Sequence, residues 1–199
     1  MLTIAFDTAT DTATCAAAHQ GEVIGERVSR AVRILEDVNE LLAGAGRSPD
    51  EVDRIVVGTG PGSYTGLRMG LVTARVLSLT LGAPVAGVST LDALAAGAPG
   101  AAAVLDARRG EVFATIGGRP AVLDPEKLDL REGSTAVGDG AVRYRELLEA
   151  KGIVIPPDDD SSHVPWARHH IELARAFGPA EAAEPIYLRV PDAERAVKA

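Results

Sequence analysis

The 199-residue chain has one cysteine, Cys15. An internal disulfide is therefore excluded, and so is a metal site built from several thiolates. The chain has no run of Lys and Arg, and its formal net charge is −8. A protein that grips nucleic acid unaided needs clustered positive charge to displace phosphate counterions, so only indirect contact with nucleic acid is expected. Bilayer-spanning stretches are lacking too. Gly66 to Leu81 is fairly apolar, but Arg68 and Arg75 interrupt it and it is too short. The N-terminus reaches Asp7 without a basic n-region, so it does not read as a secretory leader and the chain reads as cytoplasmic. No histidines stand four apart on one helix face. His19 and His163 are isolated, and the adjacent His169 and His170 read as surface residues, so no metal site is expected. Ser63, Ser89 and Cys15 are tied by nothing in the sequence to a histidine base, so no catalytic residue is assigned.

The composition, 46% hydrophobic and 24% charged, is that of a folded globular protein. Leu2 to Phe6 reads as a buried strand. Thr12–Ala18 and Glu22–Val28 read as a hairpin turning at His19-Gln20-Gly21. Apolar residues from Ala31 to Ala45 recur at helical spacing. Arg54–Gly58 is a strand, a helix runs from the following glycine-rich loop to Leu81, and Pro84–Val88 is another strand. Ser89 or Thr90 caps a helix over Leu91–Ala96. This alternation describes an α/β domain over residues 1–98. A smaller lobe is expected over 99–179. It opens with strands Ala101–Asp106 and Glu111–Ile116, continues through loops and short strands, and carries helices over Ala141–Lys151 and Val164–Phe177. The tail, 180–199, is expected to pack back on the first lobe, with Pro185–Arg189 extended.

Two segments invite a ligand. The loop Gly58-Thr-Gly-Pro-Gly-Ser-Tyr-Thr-Gly66 joins a buried strand to a helix, where backbone N–H groups can hold an anion. No Lys follows Gly66, which excludes a P-loop, and Ser63 stands where a dinucleotide fingerprint needs its third glycine. A tight turn capped by Ser63 or Thr65 remains the competing reading. Asp7-Thr8-Ala9-Thr10 ends the first strand, where a carboxylate can hold Mg²⁺ or simply cap a polar turn. Asp7, Thr8, Gly60, Gly62 and Ser63 are thus the candidate phosphate contacts. On the helix after Gly66, Leu67, Gly70, Ala74, Leu77 and Leu81 form one apolar side. Met69, Val72, Val76 and Leu79 form a second, bordered by Arg68 and Arg75. A second stripe implies either cover by the other lobe or a partner, and Arg and Met suit a partner interface.

Gly60-Pro-Gly-Ser-Tyr-Thr-Gly-Leu-Arg-Met-Gly70 resembles the hallmark segment of the TsaB (YeaZ) family. Ile4–Thr10, Pro84–Leu91, Leu105–Phe113 and Pro185–Arg189 resemble further family segments in the right order. The resemblance implies an α/β fold of the actin-like, Hsp70-like ATPase superfamily (ASKHA), with two lobes of mixed sheets flanked by helices. It also implies a non-catalytic subunit of the machinery that makes N6-threonylcarbamoyladenosine at position 37 of tRNA. The implied partners are the catalytic paralogue TsaD, the ATPase TsaE and, for the free chain, a second copy. Family subunits pair through the first two helices, which makes Ile34, Val38, Leu41, Tyr64, Arg68, Met69, Val72, Arg75, Val76 and Leu79 the candidate partner residues. Actin-like kinases carry glycine two residues after the first-strand aspartate, where this chain has Ala9, and catalytic relatives carry a His-x-x-x-His metal pair that is missing here. Relatives start their first long helix with a His-Ser pair and place a proline near its middle. Arg30 and Glu36 stand at those positions here, which implies a more continuous helix. No cofactor of its own is expected, with room for ATP as a weak or composite-site ligand. An independent small-molecule kinase or ATPase is the alternative, and a metallopeptidase the weakest reading.

Overall fold

The computed structural model describes residues 1–188. Leu2–Asp7 (β1) is buried along its whole length. An unbroken apolar run suits a central strand covered on both faces. Ala13–His19 (β2) and Glu22–Ser29 (β3) join it as an antiparallel meander on one side. Val52–Gly58 (β4) and Val85–Val88 (β5) join it in parallel on the other, giving the order β3-β2-β1-β4-β5. Parallel neighbours need crossovers, which helices supply. Ile34–Gly44 (α1) follows a 3₁₀ turn at Ala31–Arg33, and Tyr64–Leu81 (α2) links β4 to β5. Ser63 caps α2 by accepting the Gly66 N–H, and Gly82 closes it in the left-handed conformation (φ 68°), which costs glycine nothing. Thr90–Gly97 (α3) then leads out of the first lobe, capped by Ser89.

Helices α1 and α2 cover one face of this sheet. Ile34, Val38, Leu41 and Leu42 from α1 pack with Leu71 and Ala74 from α2 over Leu2, Ile4, Phe6, Ile55 and Val57. Ile34, Val38 and Leu41, expected at a partner surface, are buried in the chain's own core. Arg27 of β3 pairs with Asp37 and Glu40 and holds α1 on the sheet.

The second sheet is built from Ala102–Arg108 (β6), Glu111–Ile116 (β7), Arg119–Leu123 (β8) and Ala136–Val137 (β9), in the order β8-β7-β6-β9. Asp139–Arg143 (α4) and Arg145–Ala150 (α5) replace the single helix expected over 141–151. The break at Tyr144 turns α5 so that Arg145 donates to the Ile155 and Pro156 carbonyls and to Asp158. The last helix is shorter than expected, Ala167–Leu173 (α6). Pro165 confines Val164 to extended backbone, so a helix cannot begin there. The return to the first lobe starts well before residue 180. Ala167, Ile171 and Phe177 pack on Ala5, Ala16, Val56 and Val88, covering the face opposite α1 and α2. Gly178 bridges Val85, and the Ile186 N–H donates to the Thr59 carbonyl (2.8 Å). Arg189 and the rest of the expected tail lie outside the described residues.

The depth of α2 in the fold is set by small residues. A Cβ on Gly66 would lie 2.0 Å from the Thr8 carbonyl oxygen, and one on Gly70 2.4 Å from Thr8 Oγ1. Alanine in a helix gains about 1 kcal/mol over glycine, but overpacking against fixed atoms costs about 1–3 kcal/mol. Gly66→Ala is therefore expected to lower the urea midpoint, whereas Gly44→Ala, which meets nothing within 4 Å, leaves it unchanged or raises it.

Candidate functional site

The end of β1 is a junction of four segments. The Asp7 carboxylate accepts the Ala9 N–H at Oδ1 (2.7 Å). At Oδ2 it meets Thr90 Oγ1 of α3 (2.6 Å) and His170 Nε2 of α6 (2.8 Å). Thr8 Oγ1 donates to the Gly66 carbonyl, and the Ser63 N–H donates to the Ala9 carbonyl. Burial pushes the Asp7 carboxyl upward, but the hydrogen bond and charge of His170, with the donors from Thr90 and Ala9, outweigh it and leave it below the usual aspartate range. A Cβ on Gly58 would sit 2.2 Å from this carboxylate, so the carboxyl is packed directly against β4.

The structure places Asp7, Thr8 and Gly60 in buried positions that do not line the cleft between the lobes, and it corrects one expectation. His170 is fully buried, not a surface residue. Adjacency to His169 had suggested exposure, but the informative spacing was Ala167, His170, Ile171 and Ala174, which is one face of a helix. His163 is buried as well, accepting the Gly138 N–H at Nδ1.

The cleft itself holds about 300 Å³. Ala9, Thr10, Asp11, Gly62 and Ser63 line it from the first lobe, with Asp106, Arg108, Arg109, Phe113 and Asp139 opposite and Tyr187 at its rim. Arg108 reaches across it to both oxygens of Asp11 (2.5 and 2.6 Å) and back to Asp106 (3.1 Å). Of the proposed phosphate contacts, only Gly62 and Ser63 face this space. A Cβ on Gly62 would strike the Ala9 carbonyl at 2.2 Å, so close packing of the loop on β1 already requires that glycine. The cleft thus offers helix-start N–H groups but not the first-strand carboxylate, and its residues do not fit a nucleotide bound through a cation at Asp7. Among the described residues, no group of three or more His, Cys, Asp or Glu is placed to hold a metal ion. Cys15 is buried in the sheet, and burial pushes its thiol up to about 12.

The outward side of α2 is bare. Val72 is 55%, Val76 56% and Leu79 82% exposed. Arg68 and Arg75 are exposed beside them and Met69 is half-buried. Neither lobe covers this stripe among the described residues. The next exposed apolar side chains on the α1 side are Val32 and Leu35, not the three residues expected from the resemblance. At the start of α2, the Arg68 guanidinium lies over Tyr64 (4.2 Å), and Tyr187 stacks on the same ring with centroids 5.4 Å apart.

A family model described as "TsaD: tRNA N6-adenosine threonylcarbamoyltransferase" matches residues 7–152. The Escherichia coli (strain K12) protein named "tRNA threonylcarbamoyladenosine biosynthesis protein TsaB" is 34% identical over 221 aligned residues, covering 95% of each chain. The chain belongs to the TsaB (YeaZ) family. The Bacillus subtilis TsaB is 35% identical over 57% of this chain and 53% of its own. The structure described as "YeaZ from Pseudomonas aeruginosa" superposes with a TM-score of 0.73 at 27% identity, covering 94% of this chain and all of that one. Another structure, of a Pseudomonas aeruginosa protein described as similar to peptidase YEAZ, gives 0.75 at 30% identity, covering 94% and 99%. The two mixed sheets with their helices are therefore the actin-like ASKHA fold of TsaB and YeaZ.

Two carboxyls at the cleft and junction behave oppositely with pH. Asp7 is held below its ordinary value, so its contribution to stability is present at neutral pH and is lost as pH falls below about 4. Asp139 is pushed up, first by burial and then by the nearby charges of Asp106 and Asp11. Its ionisation therefore weakens the fold at neutral pH, and protonation on acidification relieves that. Asp139→Asn keeps an acceptor for the Asp106 N–H (2.9 Å) and removes the charge. Urea unfolding at pH 7 is expected to show a gain of about 0.5–2 kcal/mol, shrinking as pH falls toward 4.

Proposed function

We propose that the chain is a non-catalytic accessory subunit in N6-threonylcarbamoyladenosine formation on tRNA, binding a TsaD-type catalytic paralogue through the outward side of α2. The observation that carries this is the bare stripe of Val72, Val76 and Leu79 on a helix whose other side is fully used by its own sheet. A patch of that kind on a soluble domain marks a protein interface. Tyr64, Arg68, Met69 and Arg75 complete it, since aromatic residues, Arg and Met are enriched at interfaces. When the paralogue is absent, a second copy meets the same face through a two-fold arrangement. A TsaE-type ATPase joins the complex, and with a net charge of −8 the chain contacts tRNA only indirectly.

The cleft favours a second reading, an independent small-molecule kinase or ATPase with ATP between the lobes. The burial of Asp7 counts against it. One reconstitution separates the two: the catalytic paralogue, the ATPase and threonylcarbamoyl-adenylate acting on tRNA, with and without this chain. Modified adenosine is expected only with the chain present, and no ATP turnover by the chain alone. Saturable Mg-ATP turnover by the isolated chain would establish the second reading instead.

Val72→Glu places a charge in the stripe without touching the core. It is expected to weaken co-elution with the paralogue by tenfold or more and to leave the thermal midpoint within about 2 °C of the parent, as for an exposed position. Unchanged co-elution would move the interface away from α2.

A further inference from the structure

The junction at Asp7 contains a buried titratable pair that neither the cleft nor the α2 face uses. His170 Nε2 lies 2.8 Å from Asp7 Oδ2 and its Nδ1 lies 3.2 Å from the Trp166 carbonyl oxygen. A carbonyl oxygen can only accept, so Nδ1 carries a hydrogen. One proton then remains to be placed between Nε2 and Oδ2. Asp7 already receives the Ala9 N–H at Oδ1 and the Thr90 hydroxyl at Oδ2. The Thr90 oxygen in turn accepts the Gly60 N–H (3.2 Å), which leaves its own proton free for Asp7. Donors aimed at a carboxyl favour its ionised form, so the shared proton belongs on the nitrogen.

We infer that His170 is held as an imidazolium ion in the native protein, and that with the Asp7 carboxylate it forms a buried ion pair latching residues 164–188 onto the first sheet. The other polar groups around α6 are engaged elsewhere. Thr14 of β2 donates to the Pro165 carbonyl, and Glu26 of β3 is taken by Arg168. His163 is held by the Gly138 N–H and faces the Pro156 carbonyl, His169 pairs with Glu172, and Asp92 of α3 is exposed. Asp7 is thus the counter-ion. Beyond the latch the chain pairs Gly178 with Val85, crosses to Thr59, stacks Tyr187 on Tyr64 and packs Leu188 against the cluster of Leu91 from α3 with Leu105 and Phe113 of the second lobe. Removing one charge leaves the other buried and unpaired, which is the most disruptive change such a pair can suffer.

Nitrogen NMR of the imidazole rings in the ¹⁵N-labelled full chain at pH 7 tests the charge state directly, with His170→Gln supplying the assignment. Hydrogens on both His170 nitrogens are the expected result. One bare nitrogen would place the proton on Asp7 and overturn the ion pair. Amide hydrogen exchange tests the latch: protection over residues 167–178 is expected to fall at least tenfold in His170→Gln while β6 and β7 keep theirs. Unchanged protection would overturn it. If that variant does not fold, the unsubstituted protein serves. In rising sub-denaturing urea at pH 7, protection over 167–178 is expected to fall before that of β6 and β7, and a simultaneous fall would refute the latch.

Discussion

The fold hangs on the last residues of β1. Within Asp7, Thr8 and Ala9, three successive residues bind α3 and α6, α2, and the loop that starts α2. Each contact is 2.6–2.8 Å long. The position of every helix on the first sheet except α1 is thereby referred to one point. The glycines at 62, 66 and 70 follow from that requirement, because no side chain fits between α2 and the end of β1. Much of the glycine-rich loop is a packing surface for the chain's own backbone. A helix start and a glycine-rich turn can hold an anion only where the N–H groups face open space, and most of this loop faces protein.

Much of this could be read before any coordinates. The strand runs, the Ser63 and Ser89 caps and the two sides of α2 are local signals, and local signals survive folding. The capping box at Ser48 and Glu51 is of the same kind. The misreadings were non-local. Asp7 and His170 are 163 positions apart, and nothing in either neighbourhood announces the other. A histidine on an otherwise apolar helix face could have been marked as buried, but not assigned a partner. Ile34, Val38 and Leu41 were assigned to a partner from the resemblance, although their spacing alone said core face. Both statements concern one helix, and the chain's own sheet had the prior claim. The helix expected over 164–177 starts later, at Ala167, for a local reason that is legible: proline at 165 disfavours helical backbone at 164.

The α2 helix carries two apolar sides with different fates. Leu67, Gly70 and Ala74 are fully enclosed, and Val72, Val76 and Leu79 are left in water. Isolated apolar surface residues are ordinary. Three on one stripe, flanked by arginines and continued by Tyr64 with Arg68 across its ring, are not. The exposed side and the sheet-facing side belong to one rigid element, so α2 connects whatever meets its outer surface to the junction at β1.

The return of residues 164–188 to the first sheet has a consequence for how the molecule is assembled. The second sheet, β6 to β9, is an insertion between two parts of the first lobe. The first sheet has one face covered by α1 and α2, which are made early, and the other by α6, which is made only after the whole inserted lobe. On the ribosome, the face of Ala5, Ala16 and Val56 must therefore stay uncovered while the second lobe is synthesised. Its small side chains limit how much apolar surface that delay exposes. Local contacts within the insertion can form without it, whereas closure of the first lobe depends on contacts of very long sequence separation, the slow kind.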